Sequence, residues 1–165
     1  MLAKYNWYLS NLVAFLRINL FVKIDLKKEI TTELNVEGYP TEDFIDLVLE
    51  VRPAQVTLVP DAPEAITSDA GWDVLSNKEF LKGIIERFKQ KKIRVSLFMS
   101  TDIDQIVGAK ELGADRVELF TESYAEGYSE NKELAVAEYV KASAKAKELG
   151  IELNAGHDLS LENLA

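Results

Sequence analysis

Five polar side chains, Glu37, Ser100, Glu118, Thr121 and His157, fall at or just past the carboxyl ends of segments that read as β-strands. Two carboxylates and an imidazole are proton-moving groups. A carboxyl becomes acid or base according to burial and neighbouring charge, and imidazole, with an ordinary pKa of about 6.5, donates and recovers a proton near neutral pH. His157 is the single histidine and cysteine is absent, which excludes a Cys nucleophile, a disulfide, a thiolate metal site and a two-His metal site within one chain. Taken alone, a histidine after Asn-Ala-Gly is as much a loop hydrogen-bond donor as a catalyst. The loop from Asp61 to Asp73 carries Asp61, Glu64, Asp69 and Asp73 but lacks EF-hand spacing. It reads as a solvated acidic loop in which Thr67 and Ser68 cap a turn, and no metal is expected. None of the glycines forms a dinucleotide or phosphate-loop motif or a nucleophile elbow, so nucleotide-binding and α/β-hydrolase chemistry drop out.

The elements that position these groups are legible from patterning. The chain has 165 residues, 47% apolar and 28% charged, with 8 Gly and 4 Pro, which fits one globular domain with a real core. Its net charge of −9 repels a phosphate backbone, so nucleic acid is not expected as a partner. Residues Met1 to Leu26 are rich in apolar side chains, yet Lys4, Arg17, Lys23 and Asp25 interrupt them. A membrane span needs about 20 mostly apolar residues, so neither a membrane segment nor a cleaved leader is expected, and a cytoplasmic protein is. The local pattern there fits a helix through Leu9, Leu12, Val13, Leu16 and Leu20 and a strand through Ile18, Leu20, Val22, Ile24 and Leu26 equally well.

From Ile30 onward a strand and a helix alternate. Strands are expected at Leu34–Gly38, Val56–Val59, Arg94–Met99, Arg116–Thr121 and Ile151–Asn154. Four helices follow from the 3.6-residue spacing of Phe44, Ile45, Val48 and Leu49, of Phe80, Leu81, Ile84, Ile85 and Phe88, of Ile103, Ile106, Val107 and Leu112, and from the Ala- and Lys-rich run Lys132 to Leu149. Thr41 is the expected cap of the first, Thr101 with Asp104 the expected capping arrangement of the third, and Gly150 the stop of the fourth. Alternation of this kind means a parallel sheet and an α/β fold. Length favours an open sheet, since a (β/α)₈ barrel takes about 250 residues; the spread of polar groups over several strand ends favours a barrel, where chemistry sits at that edge.

Four ordered motifs carry a resemblance. They are Glu33-Leu-Asn-Val-Glu-Gly38; Gln55-Val-Thr-Leu-Val-Pro-Asp-Ala-Pro-Glu-Ala-Ile-Thr-Ser-Asp-Ala-Gly-Trp-Asp73; Arg94-Val-Ser-Leu-Phe98 followed by Val117-Glu-Leu-Phe-Thr121; and Leu153-Asn-Ala-Gly-His157 with Leu161-Glu-Asn-Leu164. Together they resemble the pyridoxine 5′-phosphate synthase family of vitamin B6 synthesis, in a branch found in Bacteroidetes-type bacteria. The similarity covers about Asp25 to Ala165, so residues 1–24 are expected to stand apart from a partial synthase domain at residues 25–165.

The resemblance implies a partial (β/α)₈ TIM-type barrel of about five parallel strands, the family's third to seventh. The family's first two strands and its last have no counterpart here, as in a truncated gene product or an excised piece. It implies condensation of 1-deoxy-D-xylulose 5-phosphate with 3-amino-2-oxopropyl phosphate, with no cofactor, small phosphorylated substrates as partners and a homo-oligomer; a non-catalytic barrel remnant or another sugar-phosphate barrel enzyme is the alternative. By position, Glu37 matches the family's acid/base glutamate, His157 its proton-donating histidine and Glu118 its transition-state-stabilising glutamate. Thr67 matches a substrate-binding threonine, and Asp158 stands where a glycine N–H usually contacts a substrate phosphate. Phe120 replaces a histidine and Glu122 a glycine of the main family pattern.

Overall fold

Three of the five described helices begin where a side chain accepts from a free N–H group. In a computed structural model describing residues 29–61 and 70–164, Thr41 Oγ1 accepts from the Phe44 N–H at 3.1 Å and starts α1, Glu42–Val51. Asp102, not Thr101, caps α3, Ile103–Glu111: its carboxylate accepts from both Asp104 and Gln105 N–H. An aspartate adds its charge to the cap at the positive helix end. Asn131 caps α5, Lys132–Leu149, which stops at Gly150 in the left-handed conformation, φ 63°, where a residue without Cβ is unstrained. Helix α2 covers Lys78–Gln90. A further helix, α4, Glu122–Tyr128, precedes α5; it buries no side chain, so no apolar stripe announces it in the sequence.

The strands are β1 Asn35–Gly38, β2 Gln55–Leu58, β3 Arg94–Met99, β4 Arg116–Phe120 and β5 Glu152–Gly156. They form one sheet in the order β1-β2-β3-β4-β5 with every neighbouring pair parallel. The expected boundaries move by one or two residues: β2 starts at Gln55, and β5 runs on to Gly156. The chain is therefore an α/β fold with an open, five-stranded parallel sheet, part of a TIM-type barrel. Residues 1–24, and Thr67 with Ser68, lie outside the described residues. Among the described residues no helix is long and apolar enough to cross a membrane.

Alternation along each strand divides the sheet into two faces. Val36, Val56, Leu58, Val95, Leu97, Met99, Val117 and Leu119 pack on Ile45, Val48, Leu81, Ile85, Phe88, Ile106, Ala109, Ala142 and Ala146 of the helices. That layer is the hydrophobic core. The opposite face carries Asn35, Glu37, Gln55, Thr57, Arg94, Ser96, Phe98, Arg116, Glu118 and Asn154, and side-chain hydrogen bonds link Asn35, Gln55, Thr57, Arg94, Arg116, Glu118 and Asn154 across it. At the amino edge of that face Arg94 pairs with Glu33 and donates to Gln55 at 2.8 Å, while Arg116 pairs with Glu152 at 2.5 Å.

Candidate active site

The carboxyl ends of β1, β4 and β5 bring three distant residues to one point. Glu37 is the third residue of β1, Glu118 the third of β4, and His157 follows the last residue of β5. Their ligand-type atoms lie within 4.8 Å of one another, and His157 Nε2 is 3.7 Å from Glu37 Oε1. Two carboxylates and an imidazole at that spacing also make a set able to hold a divalent cation.

Burial is the main force on Glu118. It is 8% exposed, and desolvation, followed by repulsion from the Glu37 carboxylate, pushes its carboxyl from the ordinary 4.5 up to about 7. His157 and hydrogen bonds from Thr57 and Asn154 oppose that rise. The Thr57 hydroxyl lies 3.4 Å from Glu118 Oε2 and 3.2 Å from Asn35 Oδ1. A Cβ at Gly156 would sit 2.8 Å from Glu118 Oε1, so a side chain there would displace that carboxylate. His157 titrates above its ordinary value, held up by the Glu37 carboxylate beside it and partly offset by burial; the charges of Glu118 and Asp158 act in the same direction as Glu37. A carboxyl near 7 beside an elevated imidazole is a pair that exchanges protons at neutral pH.

Aromatic rings wall the imidazole. Phe98 meets it edge-on at 5.0 Å between centroids and Phe120 at 6.2 Å. Phe120, which departs from the family pattern, thus lines the site without supplying a titrating group. Asp158 follows His157 in the same turn and its backbone carbonyl accepts from Asn163 Nδ2 at 3.0 Å.

Of the residues singled out from sequence, Glu37, Glu118, His157 and Asp158 come together, and Thr67 lies outside the described residues. Reading by motif missed Thr57, Phe98 and Asn154. Thr57 had a signal: it and Gln55 are the two polar members of β2 and share one period-two face. Phe98 had none, since a phenylalanine in a strand reads as core.

Neither Glu118 nor His157 has an arginine or lysine among the groups that set its titration. Among the described residues no strand ends on Arg or Lys or is followed by one; the closing pairs are Gly38-Tyr39, Leu58-Val59, Met99-Ser100, Phe120-Thr121 and Gly156-His157. The described cations of the polar face, Arg94 and Arg116, open their strands at the far edge.

A family model described as "Pyridoxal phosphate biosynthesis protein PdxJ" matches residues 22–165. The pyridoxine 5′-phosphate synthases of Parabacteroides distasonis and Bacteroides thetaiotaomicron are each 54% identical to the chain over 140 residues, and that of Cytophaga hutchinsonii is 55% identical over 140 residues. Each comparison covers 85% of this chain and 59% of the relative. The chain thus spans 59% of the length of these curated relatives, and its match over residues 22–165 shows that it belongs to the family of the pyridoxal phosphate biosynthesis protein PdxJ.

Proposed function

We propose that this chain carries part of the acid–base machinery of a pyridoxine 5′-phosphate synthase, which condenses 1-deoxy-D-xylulose 5-phosphate with 3-amino-2-oxopropyl phosphate. The convergence of Glu37, Glu118 and His157 at the carboxyl edge supports this reading most directly. Such a condensation needs protons added and removed at several carbons and oxygens, and no electron transfer. Glu37 is the acid/base, facing the substrate carbons. His157 donates protons to leaving oxygens, and Glu118, kept partly protonated by burial, stabilises charge that develops on the substrate. Thr67 and the main-chain N–H of Asp158 contact substrate phosphate. Residues 25–165 make up the synthase domain and residues 1–24 stand outside it. A cytoplasmic homo-oligomer completes the proposal, and sedimentation of the protein checks its self-association.

The test is product formation from the two substrates by the 165-residue chain and by a chain extended at both ends with the matching strands of a relative. Activity in the extended chain that is lost in Glu37→Gln and in His157→Ala supports the reading. Full activity in either variant overturns it.

A further inference from the structure

The β4–β5 ladder stops at the Phe120–Gly156 rung. The next two residues, His157 and Asp158, take positive φ of 68° and 51°, a conformation that L residues rarely adopt. A backbone held there needs something to hold it, and its carbonyls no longer have a strand partner. Side chains take over. Thr121, 3% exposed, directs its hydroxyl at the carbonyl oxygens of Gly156 and His157, the latter at 2.5 Å. Asn163, 8% exposed, donates from Nδ2 to the Asp158 carbonyl at 3.0 Å and accepts the Ser160 N–H at 2.6 Å through Oδ1. Tyr124 on α4 donates to the Asn163 carbonyl, tying the turn to a helix. These hydrogen bonds all end on main-chain groups of residues 156–163.

We propose that Thr121 and Asn163 are positioning residues, which lock the His157–Asp158 turn in its left-handed conformation and thereby set the imidazole against Glu37. Relaxation of either residue to an extended φ swings the Cα–Cβ direction of His157 and takes the ring away from β1. The chemistry at both positions is specific. Position 121 requires a short side chain with a hydroxyl donor, which serine supplies and the isosteric valine does not. Position 163 requires a donor and an acceptor on one planar group, aimed at opposite ends of the turn. The catalytic consequence rests on the acid–base reading above, but the contact itself can be tested without substrate.

Because His157 is the sole histidine, its ring signals in a proton–carbon correlation spectrum of the full chain are unambiguous, and a pH titration reads its surroundings. The charged groups facing it are Glu37 from β1, Glu118 from β4 and Asp158 in its own turn. Glu37→Gln sets the benchmark for an imidazole without its partner. Thr121→Val is expected to move the midpoint down to that benchmark, toward about 6.5, and Thr121→Ser to restore the unmodified value. Asn163→Ala, whose side chain lies in the turn and not between strands, is expected to give the same downward shift and is read if Thr121→Val does not fold. An unmodified midpoint in folded Thr121→Val or Asn163→Ala overturns the positioning role and leaves the acid–base reading standing. No difference between the unmodified chain and Glu37→Gln removes the pairing itself, and both fall.

Discussion

His157 Nε2 lies 3.7 Å from Glu37 Oε1, although Glu37 is on β1 and His157 directly follows β5, the opposite outer strands of a five-stranded sheet. Strands lie about 4.8 Å apart, so in a flat sheet β1 and β5 would be separated by roughly 19 Å, beyond the joint reach of the two side chains. The sheet must curl strongly toward its polar face. Thr57 and Glu118 show the same curvature at shorter range, meeting at 3.4 Å across the intervening strand β3. Curvature thus makes the site. It also removes Glu118 from water, which is why the carboxyl titrates near 7.

Stability should depend on pH in a direction fixed by those groups. Glu118 titrates near 4.5 when solvated and about 7 in the fold, so between these values the folded state binds the extra proton and stability falls as pH rises. His157, raised above its ordinary 6.5, adds in the same sense: its contribution is complete below 6.5 and is lost as pH climbs through its folded value. Denaturant unfolding is expected to give a higher free energy at pH 5 than at pH 8. Glu118→Gln should flatten this profile and gain at most about 3 kcal/mol at pH 8. Stability that rises from pH 5 to pH 8 would contradict the assignment.

Thr57→Val removes the hydroxyl whose hydrogen bond favours ionised Glu118. The expected result is a Glu118 midpoint above about 7, read from its carboxyl carbon signal, with little change in the fold because valine has the same shape. A lower midpoint would mean that the hydroxyl does not act on the carboxylate.

Gly71 is a test of close packing. A Cβ at this position would lie 2.3 Å from the Met99 Cα, a backbone atom that cannot rotate away, while Trp72 next to it is fixed by its N–H to Phe98 and its indole N–H to Leu58, both at 2.9 Å. Gly71→Ala should cost about 1–3 kcal/mol by forced overpacking, seen as a lower denaturation midpoint. Gly83, where a Cβ meets open space, provides the contrast: Gly83→Ala in the exposed middle of α2 should gain about 1 kcal/mol of helix stability.

The 165-residue chain should not turn over by itself. On the function proposed above, two phosphorylated substrates would be held beside carboxylates in a chain of net charge −9, which calls for arginine or lysine at the mouth. Arg94 and Arg116 are committed at the other edge to Glu33 and Glu152. Orientation of reactants is worth roughly 7–11 kcal/mol, so product formation should fall below detection beside an extended, active chain. Comparable rates from the two would show that the described strand ends suffice.

The sequence alone determined the order of elements, because strands and helices here differ in period and their caps are chemically distinct. Thr41 and Gly150 mark their helices through local hydrogen bonding and backbone freedom, effects that act within four residues. Motif spacing likewise singled out Glu37, Glu118 and His157. Helix α4 escaped because it buries nothing, and Asp102 displaced Thr101 as a cap because two short-range acceptor geometries compete and only the folded backbone chooses. Tertiary structure decided everything that depends on strand curvature: that Glu37 and His157 touch, that the buried Phe98 ring walls the site on the face away from the helices, and that Thr57 serves Glu118. Those relations join residues 59 to 120 positions apart, and no local pattern encodes a distance across a sheet. The elevated Glu118 carboxyl belongs to the same class, since desolvation is a property of the whole enclosure and not of any residue in it.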